Sequence, residues 1–324
     1  MLISDIVINP TYRSYIFGTN NVGGLLVFEP VSSIDALTWG SNHKIFIEEA
    51  LLKYGGVLLR NFQLRSISEF NQFAQMFRPN LLEYTYRSTP RENLGGKIYT
   101  STEYPSELPI ALHNENSYAK SWPKIIMFFC SIAPTLGGET PIADSREVFR
   151  KLDPYVIEKF NKKGILYIRN YTNGLGVNWR DVFQTSKREE VEKYCFENSI
   201  QYEWQAKDPV LKTRQTCPAE YVHPLTQEKV WFNQAHLFHE SNVPTNIRDL
   251  LLLELGRKNL PRNAYYGDGE EIESPALEHI REVYDKMAIT FQWQKGDVMI
   301  LDNVLMAHGR KPYTGNRKIA VAMA

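Results

Sequence analysis

Apolar residues recur at helical spacing over 44–54 (KIFIEEALLKY), at Ile45, Ile47, Leu51 and Leu52. Gly55 and Gly56 stop that helix, and VLLRNF reads as a short buried strand. Residues 67–77 (ISEFNQFAQMF) read as a second helix with Ser68 as its cap. The pattern then changes. The runs 97–101, 109–113, 124–132 (KIIMFFCSI) and 138–143 are apolar or alternating and are set off by Pro and Gly, which predicts strands. Helices are expected near 145–163, a strand at 164–171 and a charged helix near 187–198. Short strands follow over 201–232, then helices at 246–257 and 275–288. The chain ends in strand patterns at 289–293, 297–302 and 317–323.

Strands near both ends with helical insertions between them predict a mainly β chain with α insertions. Within the α+β class this suggests an antiparallel double sheet, a jelly roll. At 324 residues, two domains are the upper bound. No repeat, low-complexity tract or Pro/Gly/Ser-rich linker divides the chain, so one domain over 1–324 is expected, with about the first forty residues unplaced. Lys plus Arg and Asp plus Glu are both 37, so no global charge draws the chain to nucleic acid or an anionic membrane. Three widely spaced cysteines without a CxxC suit a reducing cytoplasm better than a disulfide framework. The start MLISDIVINP is not a secretory signal by pattern, and no apolar run approaches the length of a membrane span. A cytoplasmic location is the expectation.

The chain lacks a GxxxxGK[ST] phosphate loop, a GxSxG elbow and an HExxH motif. Of seven histidines, His113 alone has a carboxylate two residues on, in His113-Asn114-Glu115. Positions i and i+2 of a strand point to one face, so the pair can grip one side of a metal ion. A third ligand from a distant strand would leave the opposite side open, and His308, after the strand DVMILD, is the best candidate. The pair alone is weak, because seven histidines give about one such match by chance. Two further residues strengthen it. Thr140 lies in GGETP, and Arg317 opens the last strand. A guanidinium fork with a hydroxyl beside it matches the far carboxylate of a metal-chelated dicarboxylic acid.

Three stretches carry a family resemblance: HNENSY (113–118), GGETPIADSR (137–146) and GDVMILDNVLMAHGRKPYTGNRKIAVAM (296–323). With RNY, VWFNQAHLFH and YYGDG, they resemble the Fe(II)/2-oxoglutarate dioxygenases of the TauD/TfdA superfamily. Within it, the chain is most similar to the clavaminate synthase-like and syringomycin-biosynthesis-like branch. The resemblance runs from about residue 55 to the C-terminus. It implies a double-stranded β-helix core and a metal triad on His113, Glu115 and His308. It places the 2-oxoglutarate residues on Thr140 and Arg317. The implied cofactors are Fe(II), the co-substrate 2-oxoglutarate and O2, with succinate and CO2 released. Glu115 argues against halogenation, because related halogenases carry a small residue there.

The resemblance further implies hydroxylation of an amino acid, free or tethered to a peptidyl carrier protein, in specialised metabolism. Desaturation or cyclisation is known in the family as well. A taurine-type oxidation of a small sulfonate or organic acid is the runner-up, and a non-redox cupin-like metal protein is the alternative from another class. Asn116, Ser117, Arg169, Asn233 and Arg310 are candidates for the pocket, each also readable as structural. His236 and His239 read as hydrogen-bonding residues rather than a second metal site. The Tyr- and Arg-rich stretch 82–108 reads either as a lid over substrate or as a surface connection.

Overall fold

A computed structural model describes residues 3–18, 23–84, 86, 91–102, 104–171, 176–205 and 210–324, with the backbone alone over 3–8. Part of the expected lid stretch, residues 85, 87–90 and 103, lies outside the described residues.

The centre of the fold is a nine-stranded sheet. An interior strand, Ile125–Ile132, is the longest apolar run of the sequence. It pairs antiparallel with Val298–Asp302 on one side and Lys318–Met323 on the other. Beyond Val298–Asp302 come Gly55–Leu59, Gly24–Pro30, Tyr12–Phe17 and Ile3–Ile8. Gly24–Pro30 and Gly55–Leu59 run parallel, because the helices Ala36–Asn42 and Lys44–Tyr54 form the crossover between them. The first forty residues, unplaced by pattern, thus extend this sheet and begin its crossover. A three-stranded sheet, ordered Ile142–Asp144, Met306–Arg310, Ile110–His113, faces the large one. Phe128, Met299, Leu301, Ile319 and Val321 from the large sheet pack in one cluster with Ile142 and Met306 from the small sheet. This is the double-sheet, mainly β architecture with α insertions that the pattern suggested. A third sheet of four strands includes Ile165–Tyr171 and Arg262–Tyr266 and carries its own core with the helices Pro154–Lys163 and Ser274–Met287.

The helix Ile67–Phe77 buries Phe70, Phe73, Ala74 and Phe77 under the large sheet. Its cap is Ser66, not Ser68: the Glu69 N–H donates to the Ser66 hydroxyl, and the Glu69 carboxylate accepts from the Arg65 N–H. Helix Lys44–Tyr54 ends at Gly55, whose φ of 82° suits glycine. A Cβ there would lie 2.8 Å from the Met306 methyl, the mobile end of a side chain that could shift, so the positive φ is what calls for glycine.

Two expected strands are corrected. Residues 138–143 do not form one strand. Gly137 and Gly138 both take positive φ and turn the chain, leaving Leu136–Gly137 and Ile142–Asp144 on either side. The alternating 289–293 segment is not a strand either. Only Ile289 makes an isolated bridge, to Ile142, while Phe291 and Trp293 plug the inter-sheet core. In that segment the alternation reflects burial without a ladder.

Candidate metal centre

His308, in Met306–Arg310, sits directly across an antiparallel ladder from His113, the last residue of Ile110–His113. Their ring centroids are 4.7 Å apart. Glu115 reaches the same point by a different route from the one its spacing suggests. The strand ends at His113, and a turn with Asn116 at φ 57° folds Glu115 back toward the histidines. One donor atom from each of His113, Glu115 and His308 lies within 4.8 Å of the others. Among the described residues this is the sole such group of His, Cys, Asp and Glu.

The turn is held by buried amides. The Asn303 side-chain Oδ1 accepts from the Glu115 N–H at 2.7 Å, and its side-chain NH2 donates to the Glu115 and Pro123 backbone carbonyls. Asn114 donates to the Asn303 carbonyl, and Gln234 donates to the Asn114 carbonyl. The carboxylate pairs with Arg91 at 2.8 Å, and both side chains are buried. Burial would raise the Glu115 carboxyl, but Arg91 and the two histidines outweigh it and hold it well below the usual carboxylate range. Burial and the neighbouring His308 lower His113 to about 4, so its imidazole is neutral near pH 7. The His113 Nδ1–H donates to the Ala111 carbonyl at 2.8 Å, which leaves Nε2 as a lone-pair donor. Two imidazoles and an ionised carboxylate on one side of a cavity suit a divalent iron ion with open positions. The buried His308 Nδ1 is left without a hydrogen-bond partner, which fits a ring placed for another purpose than local bonding.

Thr140 and Arg317 line the same cavity as His113 and His308. Arg317 donates to the Gly138 carbonyl at 2.8 Å, to Ser101 Oγ at 3.2 Å and to Thr140 Oγ1 at 3.4 Å. Thr140 Oγ1 also accepts from the Trp293 indole. No carboxylate pairs with Arg317 among the described residues, and burial followed by the charge of Arg310 lowers its guanidinium to about 10. A half-buried, fixed cation without its anion is a ready seat for a carboxylate.

The other candidates fare differently. Arg310 lines the cavity but spends its donors on the Tyr104, Pro105 and Leu108 carbonyls, so it clamps a loop. Asn233 donates to the Ala219 carbonyl and accepts from the Ala235 N–H. Ser117 bonds the Asn114 carbonyl within the turn, and Asn116 accepts from the Tyr118 hydroxyl. Arg169 lies among the rings of Tyr86, Tyr118 and Tyr171. His236 bonds the Leu112 carbonyl and His239 bonds Ser241, and neither joins a metal-ligand group. The pattern gave no sign of Arg91 or Asn303, because each acts through a contact far away in sequence; Gln234, readable beside Asn233 as facing substrate or as structural, has a structural bond to the Asn114 carbonyl.

Comparison with known proteins agrees with this geometry. The family model "Taurine catabolism dioxygenase TauD, TfdA family" matches residues 27–323. The dapdiamide synthesis protein DdaC of Enterobacter agglomerans is 40% identical over 311 residues, covering 96% of this chain and 93% of that protein. A clavaminate synthase-like protein of Arabidopsis thaliana is 26% identical, covering 86% of this chain and 84% of its own. Among solved structures, PvcB of Pseudomonas aeruginosa superposes with a TM-score of 0.59 at 13% identity, over 100% of this chain and 94% of that one. No helix among the described residues is long and apolar enough to cross a membrane.

Proposed function

The chain belongs to the TauD/TfdA family of Fe(II)/2-oxoglutarate-dependent dioxygenases, and from that premise we propose that it hydroxylates an amino acid, free or carrier-tethered, in specialised metabolism. The cofactors are Fe(II), 2-oxoglutarate and O2. The observation that carries the site assignment is the convergence of His113, Glu115 and His308 beside an Arg317 that lacks an anion. In this reading those three residues hold the iron, and Arg317 with Thr140 holds the far carboxylate of 2-oxoglutarate. The bound iron supplies activation of O2 for attack on an unactivated C–H bond.

The protein's own part is positional. Ala111 fixes the His113 tautomer, Arg91 holds the Glu115 carboxylate ionised, and Asn303 sets the turn that carries it. Phe128 gives the cavity an apolar wall beside His308, and the Trp293 indole N–H donates to Thr140 Oγ1 and so orients that hydroxyl. The amino-acid substrate class rests on the likeness to DdaC, whose name places it in dapdiamide synthesis. One domain over 1–324 and a cytoplasmic location belong to the same proposal.

Anaerobic titration with Fe(II) and then 2-oxoglutarate tests the centre. A weak visible charge-transfer band is expected only with both, and not in His113→Ala. A folded wild-type protein that binds neither would favour a cupin-like, non-redox protein. Succinate release with free amino acids, with phosphopantetheine thioesters and with sulfonates (checked for sulfite) then separates free, tethered and taurine-type substrates. Equal turnover of free and tethered forms would sink the carrier requirement.

A further inference from the structure

Like Arg317, Arg262 is a cationic residue near the triad that no carboxylate answers among the described residues. It lines a cavity of about 50 Å³ together with His113, Glu115, Arg91 and Gln234. Arg91 is spent on Glu115. Arg262 makes no hydrogen bond or ion pair; its guanidinium lies over the Phe238 ring at 5.3 Å, which fixes its plane. On the neighbouring strand Arg169 stands directly opposite it in the antiparallel ladder. Like charges in that position destabilise a sheet. Arg169 lies against three tyrosine rings, whereas Arg262, among the described residues, lies against the Phe238 ring alone. Burial, with Arg169 adding to it, pushes its guanidinium below the usual value. A half-buried cation kept at this cost beside a metal centre is a seat for an anion from outside the chain.

We propose that Arg262 binds an acid group of the substrate, most simply a carboxylate close to the carbon to be oxidised. Arg317 lines the space on the His308 side of His113 and Arg262 the adjoining space on the Glu115 side, so two guanidinia serve two different acids: Arg317 the co-substrate, Arg262 the substrate. The small pocket shares Tyr104, Pro109, Ile110 and Asn242 with a cavity of about 650 Å³, which takes the rest of the molecule. A substrate bound this way keeps an acid next to the reacting carbon. A thioester formed at that same carboxyl would lose its anchor.

This inference rests on the dioxygenase reading above, and one experiment separates their failures. Protein loaded with Mn(II) and 2-oxoglutarate is titrated calorimetrically with a panel of α-amino acids, N-acylated amino acids and short dicarboxylic acids, each beside its carboxamide. At least one acid should bind, and its carboxamide should bind roughly thirtyfold more weakly or worse. Arg262→Met should lower the acid's affinity to that of the amide, and Arg262→Lys should recover part of it. Both variants should bind 2-oxoglutarate as the wild type does. Arg262→Met should melt no lower than the wild type, since it removes a like-charge pair. Acid and amide binding equally, no acid binding, an unchanged Arg262→Met or a lower melting temperature would each overturn the assignment while leaving the enzyme class standing. Loss of 2-oxoglutarate binding in the wild type would instead overturn the dioxygenase site itself.

Discussion

Arg60→Met should be among the most damaging substitutions outside the metal centre. Arg60 ends the Gly55–Leu59 strand, and Asp297 opens Val298–Asp302, the neighbouring strand in the large sheet. The guanidinium meets the Asp297 carboxylate with two bonds, at 3.1 and 2.7 Å, and donates a third to the Gln292 carbonyl at 2.8 Å. Asp297 is fully buried and Arg60 nearly so. Removing one member of such a pair strands the other, at a cost of about 3–5 kcal/mol. At about 2.1 cal/mol/K of unfolding entropy per residue, that lowers the melting temperature by roughly 4–7 °C. Methionine keeps most of the volume, so the loss reports charge. The Arg60→Met/Asp297→Leu double variant should regain much of the stability, because no charge is then left buried.

The pH dependence has a sign. Burial already raises the Asp297 carboxyl against the pull of Arg60, and loss of Arg60 raises it further. A carboxyl raised on folding binds its proton more tightly in the native state, so its contribution to stability falls as pH rises through the folded value. The deficit of Arg60→Met should therefore be largest near pH 7 and shrink as the pH is lowered and Asp297 takes a proton. Thermal melts by circular dichroism across that range check it. A single variant within 1 kcal/mol of wild type, a double variant no better than the single, or a deficit that grows on acidification would refute the reasoning.

Other outcomes follow from the site. His308→Ala should weaken Fe(II) binding by more than about 100-fold in chelator competition and remove the charge-transfer band, since it deletes one of three donors. Asn303→Ala leaves the Glu115 N–H and two carbonyls without partners. It should cost about 1–3 kcal/mol and loosen metal binding roughly 10–100-fold; unchanged metal affinity would show that the turn holds without its clamp. Arg317→Met should raise the KM for 2-oxoglutarate by about 30-fold or more in a succinate-release assay, with Fe(II) affinity retained. Loss of both affinities together would mean that Arg317 supports the fold and not the co-substrate.

The local pattern was enough for the elements that fold on their own terms. Helices 44–54 and 67–77, the apolar strand 124–132 and the closing strands follow from periodicity, glycine stops and caps, because burial of one face decides them. His113 and Glu115 were legible because two ligands two residues apart are a local signature, and His308, Thr140 and Arg317 became legible through the resemblance. Pattern could not reveal how Glu115 arrives. It sits in a turn clamped by Asn303, 188 residues away, and not on the strand face its spacing implies. Arg91, Arg262 and the Arg60–Asp297 pair were equally silent, since an arginine in isolation reads the same on a surface or in a core. The 289–293 stretch failed for the converse reason: its alternation is real, but a strand needs a ladder of hydrogen bonds, and this segment makes a single bridge at Ile289 before Phe291 and Trp293 turn into the inter-sheet core. Residue types and short spacings determined what chemistry this chain can do. The pairing of strands nearly two hundred residues apart decided where the donors converge, which charges are answered, and which cation is left to receive an anion.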